Sequence, residues 1–365
     1  MQIAEQGLLS TGAPVATFPS VTALPDGSLM AIYRVGPSKD SDGSVTEVRR
    51  SGDGGRTWSA AAAPFSVTFG GVRGSLQVVY ATVLPGGRLL ASSLWVDREA
   101  FPGAPLFHPE TEGCLPMRVL VADSDDLGHT WSAWREVGVT PDIGPPSLTS
   151  PAMVTPSGAI LISIESNKPY LDRSQWFQRV VHCESRDGGQ TWSAPRTVCA
   201  DPTGAVFHWD QRLAVAPDGT LAGFSWTYDK AANRYLPIRR HISRDAGATW
   251  TTDTLDFSDQ ASHLAVFADG RAVMAWVDRY GTRSIRARLA ASLDGVFDPA
   301  TEVVLYEAAA PAHTTADTAA MLTDMATWSF GLPYAEVLPG GQEALVVYYA
   351  GSPERMDIRW ARLTV

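Results

Sequence analysis

A chain of 365 residues, 45% apolar and 19% charged with mean hydropathy near zero, can bury a large core in one or two domains, which excludes a disordered or fibrous protein. Its 39 acids against 29 bases give a net charge of −10, which opposes the polyanionic backbone of nucleic acids and anionic lipid surfaces and excludes partners of either kind. Gly 32 and Pro 25, with no sustained helical stripe of apolar residues, point to β-structure rich in turns.

In chain order, the first element is an apolar and polar alternation, QIAEQGLLS, with no hairpin before it. A hairpin follows, FPSVTALPDGSLMAIYR, whose strands flank a Pro-Asp-Gly turn at Pro25. An octet then begins at Ser51, SGDGGRTW. The same two signals alternate down the chain, with hairpin turns at Pro85, Pro156, Pro217, Ala268 and Pro339 and octets at Ser124, Ser185 and Ser243. A worn octet, SLDGVFDP, starts at Ser292. The octet is chemically self-explanatory: Asp accepts backbone N–H bonds across the turn, Gly supplies a positive φ, and the final Trp packs between sheets. Spacings of 60, 71, 61, 51 and 71 residues between successive hairpin turns leave room for four strands and a variable loop each. An all-β, six-bladed β-propeller with four-stranded antiparallel blades fits, because radial repetition removes exposed sheet edges. The last segment, DIRWARLTV, is expected to pair with the N-terminal strand and close one blade, making residues 1–365 a single domain.

Three cysteines, Cys114, Cys183 and Cys199, cannot all pair, and no CxxC or CxxxH spacing marks a zinc site, so free thiols and no metal are expected. No phosphate-cradling loop or cofactor fingerprint stands out, and no cofactor is expected. The N-terminus lacks a basic stretch followed by an apolar run, and no window approaches about 18 apolar residues. The chain therefore reads as cytoplasmic unless a signal peptide preceded it.

The octets and their alternation with hairpins resemble the sialidase superfamily, whose octets are called Asp-boxes (BNR repeats) and whose propellers have six blades. The resemblance spans nearly the whole chain and implies that the active site lies on the face opposite the octets. That face is built from the loops between second and third strands and from the starts of the first strands. It collects Arg34, Lys39, Asp40, Trp95, Asp97, Arg98, Glu165, Trp226, Tyr228, Asp229, Asp278 and Arg279, together with Arg73, His208, Trp209, Asp210, Arg212 and His263. Alternation in HWDQRLAVAPDG places His208, Asp210 and Arg212 on one side of a strand, facing the channel.

Two positions depart from the sialidase pattern. The Phe-Arg-Ile-Pro segment that opens the first blade corresponds to Thr17-Phe18-Pro19-Ser20, without the Arg. The nucleophilic Tyr position, seven before the last hairpin turn, falls on Leu332, with Tyr334 two positions off. Both departures argue against sialic acid hydrolysis through a covalent Tyr. The expectation is an exo-glycosidase on a small anionic, sialate- or uronate-like oligosaccharide, using carboxylate acid/base catalysis by Asp210, Asp97, Glu165 or Asp278 with His208 beside them. Substrate contacts are expected from Arg34, Arg73, Arg98, Arg212, Arg279, Trp95, Trp209, Trp226, Tyr228 and His263. One alternative is a lyase on a uronate glycan, in which His208, His263 or a Tyr removes the C5 proton. The other is a non-catalytic sugar binder stacking rings on Trp95, Trp226 and Trp276.

Overall fold

A computed structural model describes residues 1–10, 12, 14–308 and 325–365. Among them there is no α-helix, only two 3-10 turns, Pro141–Ile143 and Met325–Thr327, and no helix is long and apolar enough to cross a membrane. Strands dominate, as the turn spacing predicts. Five of the six Pro/Gly turns close hairpins of one geometry, in which the N–H of the residue before the turn donates across it (Leu24 to Ser28, Leu84 to Arg88, Thr155 to Ala159, Ala216 to Thr220 and Phe267 to Arg271); the sixth is one residue longer, with Leu338 donating to Glu343. The positive φ of Gly27, Gly86, Gly158, Gly219 and Gly270 makes this turn accessible.

The strands form six antiparallel meanders in sequence order. The first comprises Val15–Ala23, Leu29–Gly36 and Val45–Ser51, with Ala62 bridged to Val48 at its outer edge. The second runs through Val72–Val83, Leu89–Asp97, Met117–Ser124 and Arg135–Glu136, preceded by a two-residue strand, Thr68–Phe69. The third is Met153–Val154, Ile160–Glu165, Arg179–Ser185 and Arg196–Ala200. The fourth is Val206–Val215, Leu221–Asp229, Arg234–Ser243 and Thr251–Ser258. In the fifth, a split first strand, Gln260–Ala261 and Ala265–Val266, pairs with Ala272–Asp278, then Ser284–Ala290 and Phe297–Glu307. The sixth is Phe330–Val337, Glu343–Ser352 and Arg355–Thr364.

Gln2–Leu8 pairs antiparallel with Arg355–Thr364 and forms the outer strand of this sixth meander. A single parallel pairing, Val15 with Met356, joins it to the first, so hydrogen bonding runs continuously through seven strands there. The expected four-stranded form is met in the third and fourth meanders. The second and fifth carry an extra short strand because a hairpin or a break interrupts the chain beside the first strand.

Apolar side chains fill the spaces between consecutive sheets; Met30, Ile32, Leu76, Val79, Leu89 and Leu120 lie between the first and second. First strands also bond one another directly. Ser20 and Thr22 donate to the carbonyls of Val79 and Ala81, Thr82 to Ala152, Leu213 N–H to Ser150, Arg212 Nε to Ala261 and Ala335 N–H to His263.

The octets sit at the hairpin-turn end. In the first, Ser51 Oγ bonds Asp53 and receives the Gly55 N–H at 2.8 Å, while Asp53 accepts the Arg56 and Thr57 N–H groups and the Thr57 hydroxyl. The same core of bonds recurs from Ser124, Ser185 and Ser243. The octet from Ser292 keeps the Ser292–Asp294 bond but not the Thr, and its Asp makes fewer contacts.

Candidate active site

The register of the first strands breaks at one level in sheet after sheet: between Thr17 and Ser20, Leu76 and Val78, Trp209 and Arg212, and Gly331 and Tyr334. The fifth first strand is split at Ser262–Leu264. A bulge leaves residues unpaired and re-aims their side chains. Phe18, Asp210 and Leu332 occupy three of these breaks with φ of 54°, 49° and 43°, values that cost free energy for residues with a Cβ. Both Phe18 and Leu332 are followed by proline, which has no ladder hydrogen bond to lose there.

The bulge at 209–212 breaks the strand's alternation. Asp210 and Arg212 remain together, with a 2.7 Å ion pair between side chains under 10% exposed. Gln260 also donates to Asp210. Burial raises the Asp210 pKa, working against Arg212 and Gln260, which favour its charged form. Arg212 bonds the Thr149 carbonyl and reaches Tyr80 Oη at 3.3 Å.

Glu165, at the end of the second strand of the third sheet, accepts the Gln211 N–H at 2.9 Å and the Thr149 hydroxyl at 2.8 Å. Its burial, reinforced by the negative charge of Asp210, raises its pKa to about 8. Glu165 is thus protonated at neutral pH beside a carboxylate held by a guanidinium. One group is equipped to give a proton and the other to accept one or to stabilise positive charge.

Cations outnumber the ionised acids around this pair. Arg98 is spoken for by Asp40 at 2.6 Å, and Gln77 also bonds Asp40. Arg34, Lys39 and Arg279 make no ion pair among the described residues. Arg34 bonds the Gln77 amide oxygen, leaves Nη2 without a partner and lies 4.9 Å over the Phe18 ring. Lys39 donates to the Met325 carbonyl at 2.6 Å and sits between the faces of Trp328 and Tyr349. Burial, then Arg279 and Arg34, push the Lys39 pKa well down. Arg279 stacks 3.9 Å from the Trp328 centroid, bonds the Phe330 carbonyl and leaves Nε unpaired. Its own N–H is held by Asp259, a carboxyl that burial raises to about 6.

The structure places the remaining predicted residues elsewhere. His208 points away from Asp210, because the bulge ends the alternation at Trp209; its ring packs edge-on against His241. Asp97 and Asp278 cap turns, accepting the N–H groups of Glu99 and Ala100 and of Gly281 and Thr282. Asp229 caps Ala232 in the same way.

The aromatic candidates are core side chains. Trp95 donates to the Val67 carbonyl and meets Phe69, Trp276 stacks on Phe257, and Trp209, Trp226 and Tyr228 pack with Trp176 and Phe207. Burial against neighbouring sheets removes them as ring-stacking platforms. His263 lies behind Tyr334, 4.5 Å between rings, and burial lowers its pKa to about 3. Arg73 is exposed, with its backbone N–H on Glu99.

Sequence reading did not single out Gln77, Thr149, Tyr80, Asp259, Gln260 or Trp328 as site residues. Gln77 lies at a first-strand break and Thr149 just before the first strand of the third sheet, places that no residue type announces. Tyr334 stacks between Tyr80 and His263, two positions past the left-handed Leu332.

No family model matches the chain. The "Sialidase" of Micromonospora viridifaciens is 32% identical over 279 residues, 72% of this chain and 40% of that protein. The chain belongs to the sialidase superfamily. It spans well under half the length of that relative. Among solved structures, a Dyadobacter fermentans protein of unknown function aligns with this sialidase-superfamily chain at TM-score 0.78 and 21% identity, covering 100% of this chain and 99% of the other. The Hadza microbial sialidase Hz136 aligns at 0.66 and 18%, covering 97% and 66%, and the Penicillium chrysogenum alpha-L-arabinanase complexed with arabinobiose at 0.64 and 16%, covering 96% and 93%. These likenesses establish a shared fold.

Proposed function

We propose that the six meanders are the blades of one six-bladed propeller and that the chain is a glycoside hydrolase-like enzyme acting at its axis on a small anionic oligosaccharide. The bonds that join neighbouring first strands from the first sheet to the sixth support the propeller, as do the pairing of Val15 with Met356 and of Gln2–Leu8 with Arg355–Thr364. The observation that carries the chemistry is charge. Arg34, Lys39 and Arg279 converge with no ion pair among the described residues in a protein of net charge −10, next to one protonated and one ion-paired acid. Burial and the two guanidiniums disfavour the charged form of Lys39, so an anionic group of the substrate would supply counter-charge to Arg34 and Arg279 and favour the Lys39 ammonium. Trp328, half-buried under Arg279, offers an aromatic face beside it.

In this reading Glu165 protonates the leaving oxygen, and Asp210, oriented by Arg212 and Gln260, acts on the sugar or on the attacking water. Arg34 supplies from the second strand the positive charge that Phe18 lacks: Thr17 is paired with Arg34 in the sheet register, and the guanidinium lies over the Phe18 ring. A lyase is disfavoured, since His208 faces away from the carboxylates and burial holds the Tyr334 hydroxyl protonated.

The test is a panel of sialosides, uronate-containing oligosaccharides and neutral aryl glycosides, following reducing sugar and ultraviolet absorbance together. Reducing sugar released from an anionic member alone is the expected result. Rising absorbance would show the unsaturated uronate of a lyase, and turnover of neutral glycosides alone would remove the role given to Arg34, Lys39 and Arg279.

A further inference from the structure

On the other side of the 209–212 bulge, the third and fourth sheets meet at a cluster of a different kind. Cys199 comes from the outer strand Arg196–Ala200, His208 from the first strand Val206–Val215 and His241 from the third strand Arg234–Ser243. Each offers one donor atom, and the three donor atoms lie within 4.8 Å of one another. Both imidazoles are buried, 5.4 Å apart between ring centroids. His208 Nδ1 and His241 Nε2 have no hydrogen-bond partner among the described residues. Buried nitrogens of this kind normally find one, because an unmade bond costs on the order of 1–3 kcal/mol.

We propose that Cys199, His208 and His241 hold one thiophilic d10 cation, zinc(II) or copper(I), that ties the outer edge of the third sheet to the fourth. Thiolate and imidazole are the donor set that selects such ions. Metal–sulfur and metal–nitrogen bonds of about 2.3 and 2.0 Å require the donor atoms to draw in by roughly 1 Å, within the reach of side-chain torsions. On binding, the Cys199 S–H bond breaks and a sulfur–metal bond forms. The proton leaves to solvent, both imidazoles stay neutral, and the metal keeps its oxidation state.

The surroundings suit these roles. His241 Nδ1 lies 2.9 Å from Thr252 Oγ1, which leaves Nε2 as its metal-binding atom. Gln211 Nε2 approaches Cys199 Sγ at 3.9 Å, a donor for the thiolate. The three residues stand 9 and 33 positions apart in the chain, so no local Cys/His spacing announces them.

Purified full-length protein stripped with a chelator is titrated with cobalt(II), and in parallel with copper(I) under anaerobic conditions against a chromophoric chelator. The expected result is one ion per chain, either a sulfur-to-cobalt charge-transfer band displaced by zinc or stoichiometric capture of copper(I); which titration succeeds identifies the ion. Cys199→Ser and His241→Gln should weaken binding about 100-fold. Cys183→Ser should bind as the native chain does, and the bound ion should raise the Tm of the native chain but not of Cys199→Ser. Failure of both ions to compete with the chelator overturns the proposal, as does a thiolate band that survives in folded Cys199→Ser.

Discussion

The two ends of the sheets use the same residue type in opposite ways. At the turn end, Asp53 and Asp245 are exposed, accept hydrogen bonds from Ser, Thr and backbone N–H groups, and are held near pKa 2. At the loop end, burial pushes Glu165 to about 8 and Asp259 to about 6. The turn end repeats one bond pattern four times, whereas each first-strand break at the loop end carries a different residue: Phe18, Gln77, Asp210 and Leu332. Repetition sets the frame, and departures from it set the chemistry. A carboxylate's role follows from its partners and burial, not from its motif.

The comparison breaks first if acids at the two ends respond alike to amide substitution. Asp210→Asn and Glu165→Gln should each lower kcat/KM about 1,000-fold on the substrate found by the panel; Glu165→Gln should leave Tm nearly unchanged, whereas Asp210→Asn, which strips buried Arg212 of its counter-charge, should lower it. A loss below about 10-fold would remove that residue from the proton-transfer roles.

Removing unpaired cations should act on substrate charge. Arg34→Met should raise KM for the anionic substrate about 50-fold and leave a neutral analogue within about 3-fold, since bonds to a charged group are worth roughly 1.5–3 kcal/mol. Equal losses on both substrates would make Arg34 a structural residue.

Stability against pH sharpens the contrast, because groups of opposite sign are involved. Burial lowers His182 to about 4 and His263 to about 3, so the unfolded chain binds protons first below pH 6.5. Their contribution is present above pH 6.5 and is lost as pH falls to between about 4 and 3, on the order of 3–5 kcal/mol per imidazole. Glu165 has the opposite sign: the folded state keeps a proton that the unfolded chain releases near 4.5, so stability falls as pH rises from there to about 8. Urea unfolding from pH 3 to 9 should give a maximum between these limbs, and kcat/KM should fall above about pH 8. A flat acid limb would show that the imidazoles are already solvated.

The smallest effect belongs to the octets. Asp126→Ala removes the bonds to the Thr130 N–H and hydroxyl, costing about 1–2 kcal/mol by denaturant titration with kcat/KM unchanged. A change in kcat/KM at fixed stability would give the turn end a part in catalysis.

Much of the frame was legible because Asp and Gly in the octets and Pro and Gly in the hairpin turns are tied to backbone geometry that few other residues adopt. Asp210, Arg212, Glu165, Arg34 and Arg279 were legible as charged residues at or near strand ends. The orientation of His208 was not. Alternation predicts a side only while the register is unbroken, and the bulge between Trp209 and Arg212 breaks it. The buried Trp residues were misplaced for another reason: an indole at a strand end reads the same whether the next sheet covers it or solvent does. Gln77, Thr149 and Gln260 carry no formal charge, and only three-dimensional proximity shows that they orient Arg34, Glu165 and Asp210.

The pairing of Gln2–Leu8 with Arg355–Thr364 has a kinetic consequence. Its partners, such as Gln2 and Thr364, are among the most distant in sequence, so the loop-closure entropy of this sheet is met only after all the meanders between them have been synthesised. The earlier meanders are made of near neighbours and can form as they leave the ribosome. The slow phase of refolding should therefore report the pairing of Gln2–Leu8 with Arg355–Thr364, the contact that waits for the longest stretch of intervening chain.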